Sequence, residues 1–320
     1  MTRFGSGIVR RLRKAAKRTG DAVLGRLAVW LLKGLRLTDP DMMANFAGWC
    51  ARTIGPWRHE HLTGRASLAA AFPEKPPQEI EKILLGVWDN LGRVAAEFAH
   101  LDRLWDYDPE RKTPGRVEFS AASEELYTRL RDDGKPALIF ATHLANWELP
   151  ALAAAAHGIE SAILFRRPNI GDIDRVVREI RSINMGMLIP TGLDAPVKIA
   201  EALERGLHVG MLVDQYYVRG VPVTFFGRKT RANPLIARLA QHVDCPIHGV
   251  RVIRLPGHRF RVELTDAVAP SRDAAGKVDI QATMQKITSI VEGWVREHPE
   301  QWLWLHRRWR PEDDLKTSSA

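Results

Sequence analysis

A histidine and a carboxylate stand five residues apart in the string ALIFATHLANWEL, as His143 and Glu148. Such a pair suits general-base chemistry. A carboxylate bonded to one imidazole nitrogen fixes the tautomer and raises basicity at the other, which can take a proton from an attacking hydroxyl. Five positions on one ideal helix set two side chains about 140° apart, so the two meet only if His143 precedes the helix and curls over its start. The flanking sequence offers that junction. Ala137–Ala141 reads as a short buried strand, Thr142 and His143 follow at its carboxyl end, and a helix opens near Trp147 with Glu148 in its first turns. No G-x-G-x-x-G, Walker loop, G-x-S-x-G elbow or paired Cys/His zinc spacing accompanies them.

The elements that must position this pair alternate between strand and helix from residue 116 onward. Apolar runs at Ala137–Ala141, Ala162–Phe165, Val209–Val213 and Ile247–Ile253 read as buried strands, with Arg259–Val268 as a further one. Helices are expected at Ser123–Arg131, Trp147–Ala156, Ile173–Asn184, Ala195–Glu204, Pro234–His242 and Ile280–Glu297. This alternation predicts an α/β fold whose mainly parallel central sheet carries helices on both faces. Upstream, Asp41–Thr53 reads as a short helix, and the three- and four-residue steps in Ile80–Leu101 predict a long amphipathic one. Sites in such sheets lie beyond the carboxyl ends of strands. Asp214 and Gln215, after Val209–Val213, therefore fall on the same edge as His143 and join the candidate site. An Asp capping a turn is the rival reading for Asp214.

Of 320 residues, 45% are hydrophobic and 27% charged, enough for one large domain with a substantial core. The net charge of +9 favours anionic partners, namely nucleic acid, acidic lipid headgroups or phosphorylated substrates. No aromatic-interleaved RNA-binding motif is present, so nucleic acid is not expected. Cys50 and Cys245 lack metal-ligand spacing and fit a reduced compartment. The ten tryptophans divide between two readings, core packing and anchoring at a lipid headgroup layer.

At the amino terminus seven basic residues between Arg3 and Arg18 precede the apolar run Ala22–Leu37, which Arg26, Lys33 and Arg36 interrupt. A spanning helix needs about 20 apolar residues. An amphipathic helix lying in the interface and drawn to an anionic membrane surface is the favoured expectation. A span and a plain soluble helix stay open. The expected organisation is a membrane-associating segment at 1–39, a catalytic domain at 40–310 and a disordered tail at 311–320.

The string THLANWEL resembles the H-x-x-x-x-[DE] motif of the glycerolipid acyltransferase superfamily, in the H-x-x-N-W-E form of the bacterial lipid A secondary acyltransferases. Four more blocks resemble that family in order: Leu68–Phe98, FRRPN at Phe165–Asn169, LVDQYYVRGVPVTFFG at Leu212–Gly227 and EQWLWLHRRW at Glu300–Trp309. The resemblance implies transfer of a fatty acyl chain from acyl carrier protein to a hydroxyl of a lipid A precursor. His143 would be the base and Glu148 its orienting partner, with direct attack on the thioester and no covalent acyl-enzyme. No metal or redox cofactor is implied, and the expected location is the cytoplasmic face of the cell inner membrane. Asn146, Arg166, Arg167, Asp214 and Gln215 would bind substrate, Arg167 as a bidentate phosphate clamp. Arg166 departs from the family pattern, which usually has an aromatic residue there. Phe225 and Phe226 read as a hydrophobic wall, with an acyl groove beside it as a further expectation, and His306, Arg307 and Arg308 either meet phosphorylated headgroups or form a solvated basic tail.

Two other readings remain. One keeps the chemistry and changes the acceptor to a phosphatidylinositol mannoside, ornithine lipid or lysophospholipid. The other is a basic membrane-binding protein without catalysis.

Overall fold

The computed structural model describes residues 25–27, 29–108, 110, 115–168 and 171–310. The whole of the expected basic arm, residues 3–18, and the whole of the expected tail lie outside these residues. Residues 29–35 are helical (α1). Helices α2 (Pro40–Ile54), α3 (His59–Ala71), α4 (Pro77–Glu97) and the short α5 (Leu101–Leu104) follow. Among the described residues no helix is long and apolar enough to cross a membrane.

Local signals set these helices. Pro40 sits at the first turn of α2, and the Asp39 carboxylate accepts from the backbone of Asp41 and Met42, satisfying two of the orphan donors of that terminus. Pro77 opens α4, whose apolar stripe includes Ile80, Ile83, Leu84 and Val87 and is buried as its periodicity predicts. The helix stops at Glu97, earlier than expected, because the chain tightens into a 3-10 turn at Phe98–His100.

The remainder alternates: β1 (Val117–Phe119), α6 (Ala121–Asp132), β2 (Leu138–Ala141), α7 (Leu149–Ala156), β3 (Ser161–Phe165), α8 (Gly171–Asn184), β4 (Met187–Pro190), α9 (Ala195–Glu204) and β5 (His208–Leu212). After a two-stranded hairpin of β6 (Val221–Phe225) and β7 (Arg228–Ala232) come α10 (Leu235–His242), β8 (Ile247–Leu255), β9 (Arg259–Leu264) and α11 (Ile280–Glu297). The seven-stranded sheet has the order β1-β9-β8-β2-β5-β3-β4, and only the β8–β9 pair is antiparallel. The mainly parallel α/β sheet expected from the sequence is therefore present.

Alternation along each strand splits the interior into two clusters. Leu138, Phe140, Val209 and Met211 face one cluster with residues of α4, α9, α10 and α11. Ala137, Ala141, Val250 and Val252 face the other with residues of α6 and α7. Four strands were not anticipated. β1 and β4 close the two sheet edges and are short, while the β6–β7 hairpin turns through Phe226 and Gly227, both with positive φ (52° and 68°). A phenylalanine is an unusual residue at such a turn position. Its backbone N–H donates to the Glu292 carboxylate of α11, so tertiary contact overrides the local preference. β9 ends at Leu264, short of the expected Val268.

Candidate active site

The junction after β2 carries the site. Ala141 pairs in register with Leu212 of the adjacent parallel strand β5. Two residues further along each strand stand His143 and Asp214, on the same face and side by side. The His143 Nδ1 lies 2.8 Å from Asp214 Oδ1. Asp214 Oδ2 accepts from the Thr142 hydroxyl (2.7 Å), the His143 backbone N–H (2.8 Å) and the Trp302 indole (2.7 Å). The Asp214 side chain is fully buried. Its burial alone would raise the carboxyl pKa, but the His143 ring beside it and the donors around it hold it well below the usual carboxylate range. An ionised acceptor at Oδ1 fixes the proton of His143 on Nδ1, leaving Nε2 as the free basic nitrogen. That nitrogen faces the Gln215 amide nitrogen at 3.4 Å, and the Trp147 ring packs edge-on against the imidazole at 5.2 Å.

Glu148 occupies a different place from the one its spacing suggested. Ala145 takes a left-handed conformation (φ 47°), which redirects the chain before α7. The Glu148 carboxylate then meets the Arg181 guanidinium of α8 in a two-pronged ion pair, with Arg181 Nε 2.9 Å from Oε2. Arg181 itself lies over the rings of Phe98 and Phe165. The carboxylate that orients His143 is Asp214, delivered by the neighbouring strand, rather than Glu148.

His143, Glu148, Arg181, Arg166 and Gln215 line one cavity of about 1390 Å³, walled mostly by apolar side chains. It runs along the His143 face of the sheet beneath α7, and also over the carboxyl edge toward α9 and α10. The remaining residues expected to bind substrate are placed as follows. Asn146 is fully buried, donating to Glu97 Oε2 at 2.8 Å and accepting from the Glu148 backbone. It belongs to a network in which Arg254 bridges Glu97 and Asn90. Asn146 thus braces the loop and does not line the cavity. Asp214 lies beneath the imidazole instead of facing a substrate. Arg166 is exposed and on the cavity wall, whereas Arg167 is exposed but outside it.

The carboxyl-terminal block proves to be the buttress of the site. Trp302 and Trp304 are buried. The His143 carbonyl accepts from the Leu303 N–H, and the Ala145 N–H donates to the Gln301 carbonyl. His306 is largely enclosed, donates from Nδ1 to the Leu303 carbonyl at 2.7 Å, and is pushed down to about 4, chiefly by desolvation. Arg308 is 2% exposed and donates to the Thr230 hydroxyl and the Arg231 carbonyl. Neither reading of a headgroup-binding or solvated terminal arginine holds for it. Phe225 and Phe226 pack against Trp302 and Trp304, a wall within the core and not on the cavity. The role of Trp302 was missed in the sequence; its signal was an indole, a donor-only group, in an otherwise apolar run. Among the described residues no cluster of three His, Cys, Asp or Glu side chains is placed to hold a metal.

Two comparisons bear on this arrangement. Residues 14–311 match the family described as bacterial lipid A biosynthesis acyltransferase. The chain is also similar to lipid A biosynthesis acyltransferase 2 of Shigella flexneri, at 24% identity over 287 residues that cover 88% of this chain and 87% of the relative.

Proposed function

This chain belongs to the bacterial lipid A biosynthesis acyltransferase family, and from that premise we propose that it moves a fatty acyl chain from an acyl-carrier-protein thioester to a hydroxyl of a lipid A precursor. The observation that carries the reading is a single constellation: His143 with Nδ1 committed to the buried Asp214 and Nε2 opening onto a large, mostly apolar cavity. In the proposed reaction Nε2 takes the proton of the acceptor hydroxyl as its oxygen attacks the thioester carbonyl. Asp214 stabilises the imidazolium that forms. The Gln215 amide, close to Nε2, donates to the oxygen on which negative charge develops. Collapse expels the thiolate, and the imidazolium returns its proton to the sulfur. Atoms and charge balance without a covalent enzyme intermediate or a cofactor. Glu148 contributes at the same cavity by holding the Arg181 guanidinium on its wall.

Exposed surfaces support the proposed partners. Arg166 and Arg167, exposed beyond β3, suit the phosphates of a lipid A precursor or an acidic carrier protein. Leu27, Trp30, Leu31, Met42, Phe46, Trp49 and Trp57 are exposed on and beside the amino-terminal helices. Together with Arg26, Lys33, Arg52 and Arg58 they present the mixture of indole, aliphatic and basic groups that suits an anionic interface. We place the working enzyme on the cytoplasmic face of the inner membrane, where a carrier-protein thioester can reach it.

The test is direct. Purified chain, acyl carrier protein loaded with a saturated acyl group, and a tetra-acylated lipid A precursor should yield a product heavier by one acyl chain in mass spectrometry. His143→Ala should abolish that product while the chain still folds cooperatively, with a melting temperature lowered by the loss of one partner of the buried Asp214. A mass gain on another lipid but not on the precursor would move the acceptor assignment, and product formation by His143→Ala would overturn the base assignment.

A further inference from the structure

The lobe of the cavity beneath α7 has a polar inner end. From His143 its floor descends the sheet over Ile139, Gly210 and Ile163, three residues in register on β2, β5 and β3. Gly210 widens the passage, since a Cβ there would meet the Ile163 Cδ1 at 3.0 Å. The floor then reaches Ser161 and His208, which are register partners at the amino ends of β3 and β5. Both line the cavity, and both are more than nine-tenths buried, at 6% and 7% exposure. The Ser161 hydroxyl and the His208 Nε2 have no hydrogen-bond partner. His208 bonds the Leu130 carbonyl, and with Nε2 unpartnered that bond belongs to Nδ1–H. The ring is held neutral because burial disfavours its charged form, so Nε2 presents a lone pair. One acceptor and one hydroxyl thus face the same space.

Buried polar atoms without partners are costly, and apolar contact does not relieve them. A hydroxyl group fits both at once, donating to His208 Nε2 and accepting from Ser161. We propose that Ser161 and His208 form a hydroxyl-binding floor that sets how far a fatty chain enters this lobe. The proposal rests on the acyl-transfer reading above and deepens it. Six residues of strand separate His208 from Asp214, a depth of about 20 Å at roughly 3.3 Å per residue. A C–C bond of about 1.52 Å in an all-trans zigzag advances about 1.25 Å along the chain, so a saturated chain of roughly 16 carbons reaches the floor. The hydroxyl can come from a water that caps a shorter chain or from the far end of the chain itself.

The experiment measures binding, independently of turnover. A fluorescent fatty acid is displaced from the full chain by saturated acids of about 12 to 18 carbons, a series that brackets this depth, and by an ω-hydroxylated acid of floor-reaching length. The wild type is compared with Ser161→Ala and with His208→Asn, which keeps a donor for the Leu130 carbonyl; melting curves verify that each variant folds. If the chain supplies the hydroxyl, the ω-hydroxylated acid binds about tenfold more tightly than its saturated parent, and both substitutions erase the difference. If water supplies it, affinity in the wild type stops rising at the floor-reaching length, whereas in the variants each further methylene keeps adding about fourfold. Identical preferences in the wild type and both variants overturn the floor alone. Failure of every acid to displace the probe from the wild type overturns the acyl lobe as well.

Discussion

Asp214→Asn separates the two carboxylates of the site. Three donors converge on Asp214 Oδ2 and one on Oδ1. An asparagine amide can satisfy the three only by turning its oxygen toward them, which places its NH₂ against His143 Nδ1. Two donors cannot share that contact, so the imidazole proton moves to Nε2 and the base is lost. A histidine locked in the wrong tautomer loses on the order of 10⁴ in kcat. The fold should suffer less: three of the four bonds persist, and loss of their charge assistance costs about 1.5–3 kcal/mol. The assay is acyl transfer under single-turnover conditions with a loaded carrier protein, alongside thermal melting. Because His143 and Asp214 act as a unit, adding Asp214→Asn to His143→Ala should cause no further loss. If Asp214→Asn keeps activity within tenfold of wild type while Glu148→Gln abolishes it, the working partner of the histidine is Glu148 and this reasoning is refuted.

Gly210→Val should narrow the lobe beneath α7, since its first carbon already meets Ile163 at 3.0 Å; transfer of long acyl chains should fall at least tenfold relative to short ones when a donor series is compared. Glu97→Gln leaves the Arg254 guanidinium buried beside a neutral partner, and should lower stability by about 3–5 kcal/mol in denaturant unfolding. His306 binds its proton less readily folded, at about 4, than unfolded, near 6.5. The stability it contributes is therefore complete above pH 6.5 and is lost as pH falls toward 4, on the order of 3 kcal/mol in all. His100, His157, His208 and His248 are shifted downward by burial in the same sense. Melting temperature should drop through that window, and His306→Gln should lessen the drop.

The sheet was legible where strands are central, because Leu138–Ala141 and Ile247–Leu255 are buried on both faces and read as continuous apolar runs. Edge strand β1 carries only three residues, and β4 is largely unburied and ends on a proline, so neither reads as a buried apolar run. His143 was legible from its place at the end of a buried strand. Its partner was misjudged for a physical reason: proximity in sequence favoured Glu148, whereas register between β2 and β5 brings Asp214 across 71 residues. Asp214 had already been placed on the correct edge by the rule for parallel sheets, but in a ligand-binding role. Asn146 was assigned to substrate because it lies inside the motif, and only the path of the chain after Ala145 shows it turning inward to Glu97. Trp302 and Trp304 take the core-packing reading, while Trp30, Trp49 and Trp57 are exposed.

Trp302 donates to a carboxylate 88 positions earlier, and the segment containing it clasps the loop that bears His143. During synthesis the histidine and its carboxylate leave the ribosome long before that clasp exists. Asp214 then lacks one of its donors, and the loop lacks its bonds to Gln301 and Leu303. A chain ending before Gln301 would thus hold His143 and Asp214 without the bonds that brace them, so the proposed base is set in place only once the Gln301–Leu303 segment has joined the fold.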